Sequence, residues 1–150
     1  MESTAGSLRI ALGADHAGFE YKEIILRMLE QEHEVMDFGT FTSNSVDYPD
    51  FVHPVSDAIE DERADFAILF CGSANGVAIT ANKHFEVRAA IAWEAELAML
   101  SRQHNDANIV CIPCRFIDIE AAKGIVKTFL STQFEGGRHE RRVRKITDGC

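Results

Sequence analysis

The sequence predicts one α/β domain: a doubly wound, mostly parallel sheet of five strands in the order 2-1-3-4-5, covered by helices on both faces. Three observations carry this reading. Apolar runs of strand length alternate with segments of helical periodicity along the whole chain. The 150 residues suffice for one well-buried core. No internal repeat, linker or low-complexity tract interrupts the alternation.

A first strand is expected over residues 8–12 and a helix over 18–31, with Phe19, Ile24, Ile25, Met28 and Leu29 facing the core. Residues 34–38 form a second strand, ended by Gly39, and 40–49 is polar and loop-like. A helix over 50–62 follows. The third strand is 66–70, an unbroken apolar run that suits burial on both faces. A helix over 76–83, a short fourth strand at 88–92, a helix over 94–102 and a fifth strand at 108–112 come next. Asp118 is placed to cap a helix over 118–130, and a last helix covers 137–146. Ligands of such sheets bind beyond the carboxyl ends of the strands where the order switches, here between strands 1 and 3. The loops there are Gly13-Ala14-Asp15-His16-Ala17-Gly18 and Cys71-Gly72-Ser73-Ala74-Asn75-Gly76.

A composition of 46% apolar and 26% charged residues is that of an ordinary globular protein and excludes disordered and collagen-like classes. The net charge of −9 argues against non-specific binding to nucleic acid or an anionic membrane, both of which need a basic footprint. No apolar run approaches the ~20 residues of a membrane helix. Residues 1–7 read as a loose polar tail without the features of a signal peptide. The four cysteines are expected as free thiols in a cytoplasmic protein. Cys111 and Cys114 have C-x-x-C spacing, but no second ligand pair exists to complete a zinc site, so they read as small core residues.

The residue types at the two loops carry chemistry. A thiol at the end of a buried strand, next to turning backbone and a helix N-terminus, is a setting that holds an anion and keeps a thiolate ionised. Cys71 would also serve as plain core, since free Cys is often buried. The glycines around it favour function, because they let N–H groups turn inward toward an oxyanion or enediolate. Asp15 would cap the next helix by itself; with His16 beside it, the pair also offers a base and an anion-binding imidazole. His104, in the polar run 101–108, is a further acid or base, expected at the same sheet end as Cys71. Arg138, Arg141, Arg142, Arg144 and Lys145 crowd the last helix of an acidic chain, as a solvated face or as a phosphate clamp.

Taken in order, these residues resemble the ribose-5-phosphate isomerase B family and its galactose-6-phosphate isomerase relatives, over residues 10–146. The resemblance rests on Gly13-Ala14-Asp15-His16-Ala17-Gly18, Asp47-Tyr48-Pro49, Cys71-Gly72-Ser73, Ala81-Asn82-Lys83, Ser101-Arg102-Gln103-His104-Asn105-Asp106 and Glu135-Gly136-Gly137-Arg138-His139. It implies a Rossmann-like α/β/α fold, no metal or other cofactor, and a homodimer or homotetramer with active sites near the subunit interface. The implied reaction interconverts ribose 5-phosphate and ribulose 5-phosphate. Cys71 would move the proton between C1 and C2, and Ser73 would assist transfer between the oxygens. The backbone of Gly72, Ala74, Asn75 and Gly76 would stabilise the enediolate. His104, with Asp15, would open the furanose ring. His16, Arg138, Arg142 and Arg115 would hold the phosphate, while Tyr48 and Asn105 line the sugar.

Two departures stand out. Ala74 occupies a position where many thiol-type members carry glycine, which costs backbone freedom. Where another branch has a catalytic glutamate, this chain has Val77, leaving Cys71 as the loop's candidate base. Three rival readings share the same residues: an isomerase of a six-carbon sugar phosphate such as allose 6-phosphate, a thiol hydrolase using Cys71 and His104, and a binding module for FMN or a nucleotide.

Overall fold

Five parallel strands form the sheet of the computed structural model, which describes residues 6–150: β1 (Arg9–Ala14), β2 (Glu34–Asp37), β3 (Phe66–Cys71), β4 (Ala89–Ile91) and β5 (Ile109–Pro113). The first five residues of the expected N-terminal tail lie outside the described residues. Six helices connect and cover the strands: α1 (Phe19–Glu30), α2 (Pro49–Glu60), α3 (Asn75–Ala81), α4 (Ala95–Gln103), α5 (Ile119–Ser131) and α6 (Arg138–Asp148). Asp118 caps α5 as expected, its carboxylate accepting from the Ala121 N–H at 2.8 Å.

The strand order is β2-β1-β3-β5-β4, so the last two strands are exchanged relative to the expected 2-1-3-4-5. The reason is burial. All five residues of β5, Ile109-Val110-Cys111-Ile112-Pro113, are buried, as a strand covered on both faces must be. The three residues of β4 are only half-buried, which suits an edge.

Alternate residues of each strand feed two cores. Ile10, Leu12, Ile68, Phe70, Val110 and Ile112 face α1, α4 and α5, where they meet Ile25, Leu29, Ala98, Ala122, Ile125 and Phe129. Ala11, Ala67, Leu69, Cys71, Ile109 and Cys111 face α2 and α3, against Val52, Val55, Val77 and Ala81. Ile24, expected in the core, is 39% exposed: α1 turns Ile25 and Leu29 inward and leaves Ile24 on its flank. The helices after β1 and β3 therefore lie on opposite faces. The crevice between those strand ends is the switch point of the sheet.

Two close contacts set that crevice. A side chain at Gly18 would lie 2.4 Å from the carbonyl of Phe70, so only glycine lets α1 start against the end of β3. Beside it, Lys22 is fully buried and its ammonium bonds both oxygens of Asp37 at 2.9 Å and Glu23 at 2.7 Å. The Asp37 carboxylate also accepts from the Gly39 N–H at 2.9 Å, and the Gly39 carbonyl takes the Ala14 N–H at 2.7 Å. A buried ion pair thus fixes the backbone immediately before Asp15. Removing one partner leaves the other charge uncompensated. Lys22→Met is expected to cost about 3 kcal/mol in urea unfolding, since Asp37 retains some contact with water.

Candidate active site

Asp15 is the hub of the crevice. Its backbone N–H reaches the Phe70 carbonyl at 3.2 Å, tying the end of β1 to β3. One carboxylate oxygen accepts the N–H groups of Ala17 (2.9 Å) and Gly18 (3.0 Å), which closes the loop into α1. The other accepts the thiol of Cys71 at 3.4 Å. Both residues are buried, each 7% exposed.

Burial and the Asp15 carboxylate push the Cys71 thiol above its ordinary range, while the N–H groups of Ala74 and Gly72 work more weakly against them. Both effects run against the expected thiolate: burial first, and then the Asp15 carboxylate, favour the protonated sulfur. Cys111 and Cys114 are likewise protonated, the latter pushed up to about 12 by burial. They belong to opposite cores, so the C-x-x-C spacing forms no joint site.

Around the thiol, residues 72–76 make a tight loop. The Asn75 N–H donates to Ser73 Oγ at 3.3 Å, and Ala74 adopts a left-handed backbone (φ 68°) just before α3. The Tyr48 ring packs closely against Gly76: a side chain there would come within 2.5 Å of it. The Arg115 side chain passes over Gly72, and the Arg115 backbone N–H donates to the Gly72 carbonyl at 3.1 Å. His16 accepts from the Val46 N–H through Nδ1 at 3.2 Å, leaving Nε2 as the donor. Asp15, His16, Tyr48, Cys71, Gly72, Ser73, Ala74, Asn75, Gly76 and Arg115 thus share the carboxyl end of the sheet.

His104, Asn105, Arg138 and Arg142 do not join them. His104 ends α4 and precedes β5, so it lies at the amino end of the sheet, contrary to the expected placement beside Cys71. Ile109 pairs with Ala67 while Pro113 pairs with Cys71, so four residues of strand, roughly 13 Å, separate that end from the thiol. The Glu135 N–H bonds the Gln103 carbonyl at 3.1 Å, which brings α6 to the same remote end. There, His104, Asn105, His139 and Arg142 line a cavity of about 430 Å³.

His139 was not among the expected site residues. Its ring stacks on His104 at 4.2 Å, and its buried Nε2 has no hydrogen-bond partner. Burial, with the nearby His104 and Arg138, holds its imidazole below the usual range. Its place in the motif Glu135-Gly136-Gly137-Arg138-His139 and beside the arginines of the last helix was the available signal.

With the geometry in hand, comparison with known proteins decides the family. The sequence model of ribose/galactose isomerases matches residues 10–146. The chain belongs to the ribose/galactose isomerase family. It is 44% identical over 140 residues to ribose-5-phosphate isomerase B of Escherichia coli, spanning 93% of this chain and 94% of that one. A ribose 5-phosphate isomerase structure from Thermotoga maritima superposes with a TM-score of 0.91 at 48% identity, covering 94% of this chain and 98% of its own. The isomerase B structure from Mycoplasma genitalium with bound ribulose-5-phosphate superposes with a TM-score of 0.91 at 38% identity, covering 97% of each chain. The three-layer Rossmann-like fold is thus that of the ribose/galactose isomerases. Among the described residues, the hydrogen-bond partner of the Cys71 thiol is the Asp15 carboxylate, and His104, the imidazole of the rival thiol hydrolase, lies at the other end of the sheet.

Two outcomes test this site. Alkylation of Cys71 by iodoacetamide should follow a pH curve on the alkaline side of a free thiol's, and Asp15→Asn should move it toward acid, read by mass spectrometry of the Cys71 peptide. Gly76→Ala should drive Tyr48 off the loop and lower turnover about tenfold or more with the fold intact by circular dichroism.

Proposed function

We propose that this ribose/galactose isomerase interconverts ribose 5-phosphate and ribulose 5-phosphate, at a site that two copies of the chain complete together. The observation that carries the reading is the Cys71 thiol held on Asp15 under a loop of small residues, at the switch point of the sheet. The relatives named for this reaction support it.

In the open-chain sugar the proton on C2 is acidic only because the adjacent carbonyl can take up negative charge. The base must therefore be strong, and the charge must meet donors. A thiol held above its ordinary range is the stronger base once ionised, though less of it is ionised at rest. Asp15 Oδ2 marks where its proton can go. The Cys71 thiolate then takes the C2 proton and returns it to C1, while Ser73 Oγ carries a proton between O2 and O1. Backbone N–H groups of residues 72–76 face the enediolate, a contribution of a few kcal/mol. His16 offers its Nε2–H to the substrate and Arg115 its guanidinium at the lip. These steps call on side chains and backbone alone.

Ring opening and the phosphate need the groups at the amino end of the sheet: His104 as the acid–base that opens the furanose, Asn105 on the sugar, and Arg138 and Arg142 on the phosphate. A two-fold dimer sets the carboxyl end of one subunit against the amino end of its partner and forms two equivalent sites. Exposed apolar side chains at both ends fit such a contact: Trp93 and Phe116 border the cavity beside Ser73 and Asn75, and Ile146 borders the His104 cavity. No helix among the described residues is long and apolar enough to cross a membrane. The four unpaired cysteines fit the reducing cytoplasm.

Cys71→Ala and His104→Ala should each lower isomerisation of ribose 5-phosphate by about 10²–10⁴. Equal mixing of the two inactive chains, with subunit exchange, should then restore roughly a quarter of wild-type activity, because half the dimers carry one intact site. No recovery would show that the two groups act within one subunit. Faster turnover of allose 6-phosphate than of ribose 5-phosphate would overturn the five-carbon assignment.

A further inference from the structure

Away from Cys71, the carboxyl end of α2 meets the connection between α3 and β4. His53, Asp57 and Glu60 stand at i, i+4 and i+7 along α2 and so share one face. His84, in the turn after α3, reaches that face. Its Nδ1 lies 2.9 Å from Glu60 Oε1 and 3.7 Å from Asp57 Oδ1, and the ligand atoms of Asp57, Glu60 and His84 all lie within 4.8 Å of one another. Its Nε2 lies 2.7 Å from His53 Nδ1. The second oxygen of Glu60 accepts the Glu86 N–H at 3.2 Å, which aims the first toward His84.

Donor atoms bound about 2.0–2.2 Å from a zinc ion sit roughly 3.0–3.6 Å apart. The His84–Glu60 and His84–Asp57 separations bracket that spacing, so little movement is needed to admit an ion. We propose that Asp57, Glu60 and His84 form a site for a divalent transition cation, zinc fitting best, with His53 as the outer partner of His84.

The ion takes the place of the proton shared by His84 Nδ1 and Glu60. His84 Nε2–H then donates to His53 Nδ1, the outer hydrogen bond that orients a metal-bound imidazole. An imidazole with two carboxylates suits zinc better than magnesium or calcium, which prefer all-oxygen sites. The surroundings favour positive charge. Glu62 and Glu86 line the adjacent surface cavity with Glu60, and Arg88 there is engaged by Asp106. The site also sits at the carboxyl end of a helix, where the backbone carries partial negative charge.

The ion would tie together α2 and α3, whose opposite ends carry Tyr48 and residues 72–76. Its role is structural, because the reacting groups lie at the far end of both helices.

The test titrates zinc chloride into the chelator-treated full-length chain, in a Cys150→Ser background that removes the exposed thiol, by calorimetry and thermal unfolding. One equivalent should bind per chain and raise Tm by a few degrees. Asp57→Asn and His84→Gln should each weaken binding by about tenfold or more and abolish the Tm shift. Asp57 is exposed, so its variant folds even where His84→Gln does not, and its isomerase rate should match the parent's. Zinc binding of undiminished affinity in the Asp57→Asn variant, or binding lost instead on Glu135→Gln in the His104–Glu135–His139 cluster, would overturn the proposal. So would the absence of saturable binding.

Discussion

The contact on which the rest depends is the Asp15 carboxylate. A single buried side chain terminates β1, starts α1 and holds the thiol at the end of β3. The three bonds lie on two oxygens with different tasks. One closes the turn before α1 by accepting the Ala17 and Gly18 N–H groups, and the other stays turned toward the sulfur. The glycine at position 18 is required because the helix it opens begins in van der Waals contact with the Phe70 carbonyl. Upstream, the Lys22–Asp37 pair fixes Gly39, and Gly39 fixes Ala14. A rigid chain of polar contacts thus delivers one carboxylate to one thiol.

That delivery has opposite effects on reactivity and population. An anion beside a buried thiol keeps it protonated, the reverse of what strand, turn and helix N-terminus suggest by themselves. Whether the sulfur acts as nucleophile or base, only the thiolate reacts, so the proton must first leave it. The shift that lowers the resting thiolate fraction makes the thiolate, once formed, more basic and more nucleophilic alike.

Much of this was legible in the sequence, and the exceptions have physical causes. The alternation of strands and helices, the switch-point loops and the Asp118 cap follow from local pattern. The exchange of β4 and β5 does not: neighbouring apolar runs are told apart only by how completely each is buried, and Ala89-Ala90-Ile91 is short enough to sit at an edge. The protonation of Cys71 depends on Asp15, 56 residues earlier in the chain. His139 gains its significance from α6 docking on His104, a tertiary contact that no local pattern encodes. Ala74 was legible as a departure, and the structure shows its consequence: a left-handed residue whose methyl is fully buried. The strain of roughly 1–2 kcal/mol is comparable with the ~0.8 kcal/mol gained by burying the methyl together with the smaller entropy loss relative to glycine. The loop therefore tolerates alanine at a left-handed position that favours glycine.

The placement of His104 follows from topology alone. In a parallel sheet, a residue just before a strand lies at the opposite end from a residue just after one. Cys71 ends β3 and His104 precedes β5, the strand beside it. No rotamer change brings them together, because the separation is set by the length of the strands. The basic residues of α6 share that remote end, tied to it through Gln103. A single chain thus holds the Cys71 thiol at one end of the sheet and the His104 and α6 side chains at the other. In the proposed reaction, which calls on both groups, a second subunit would bring the two ends together.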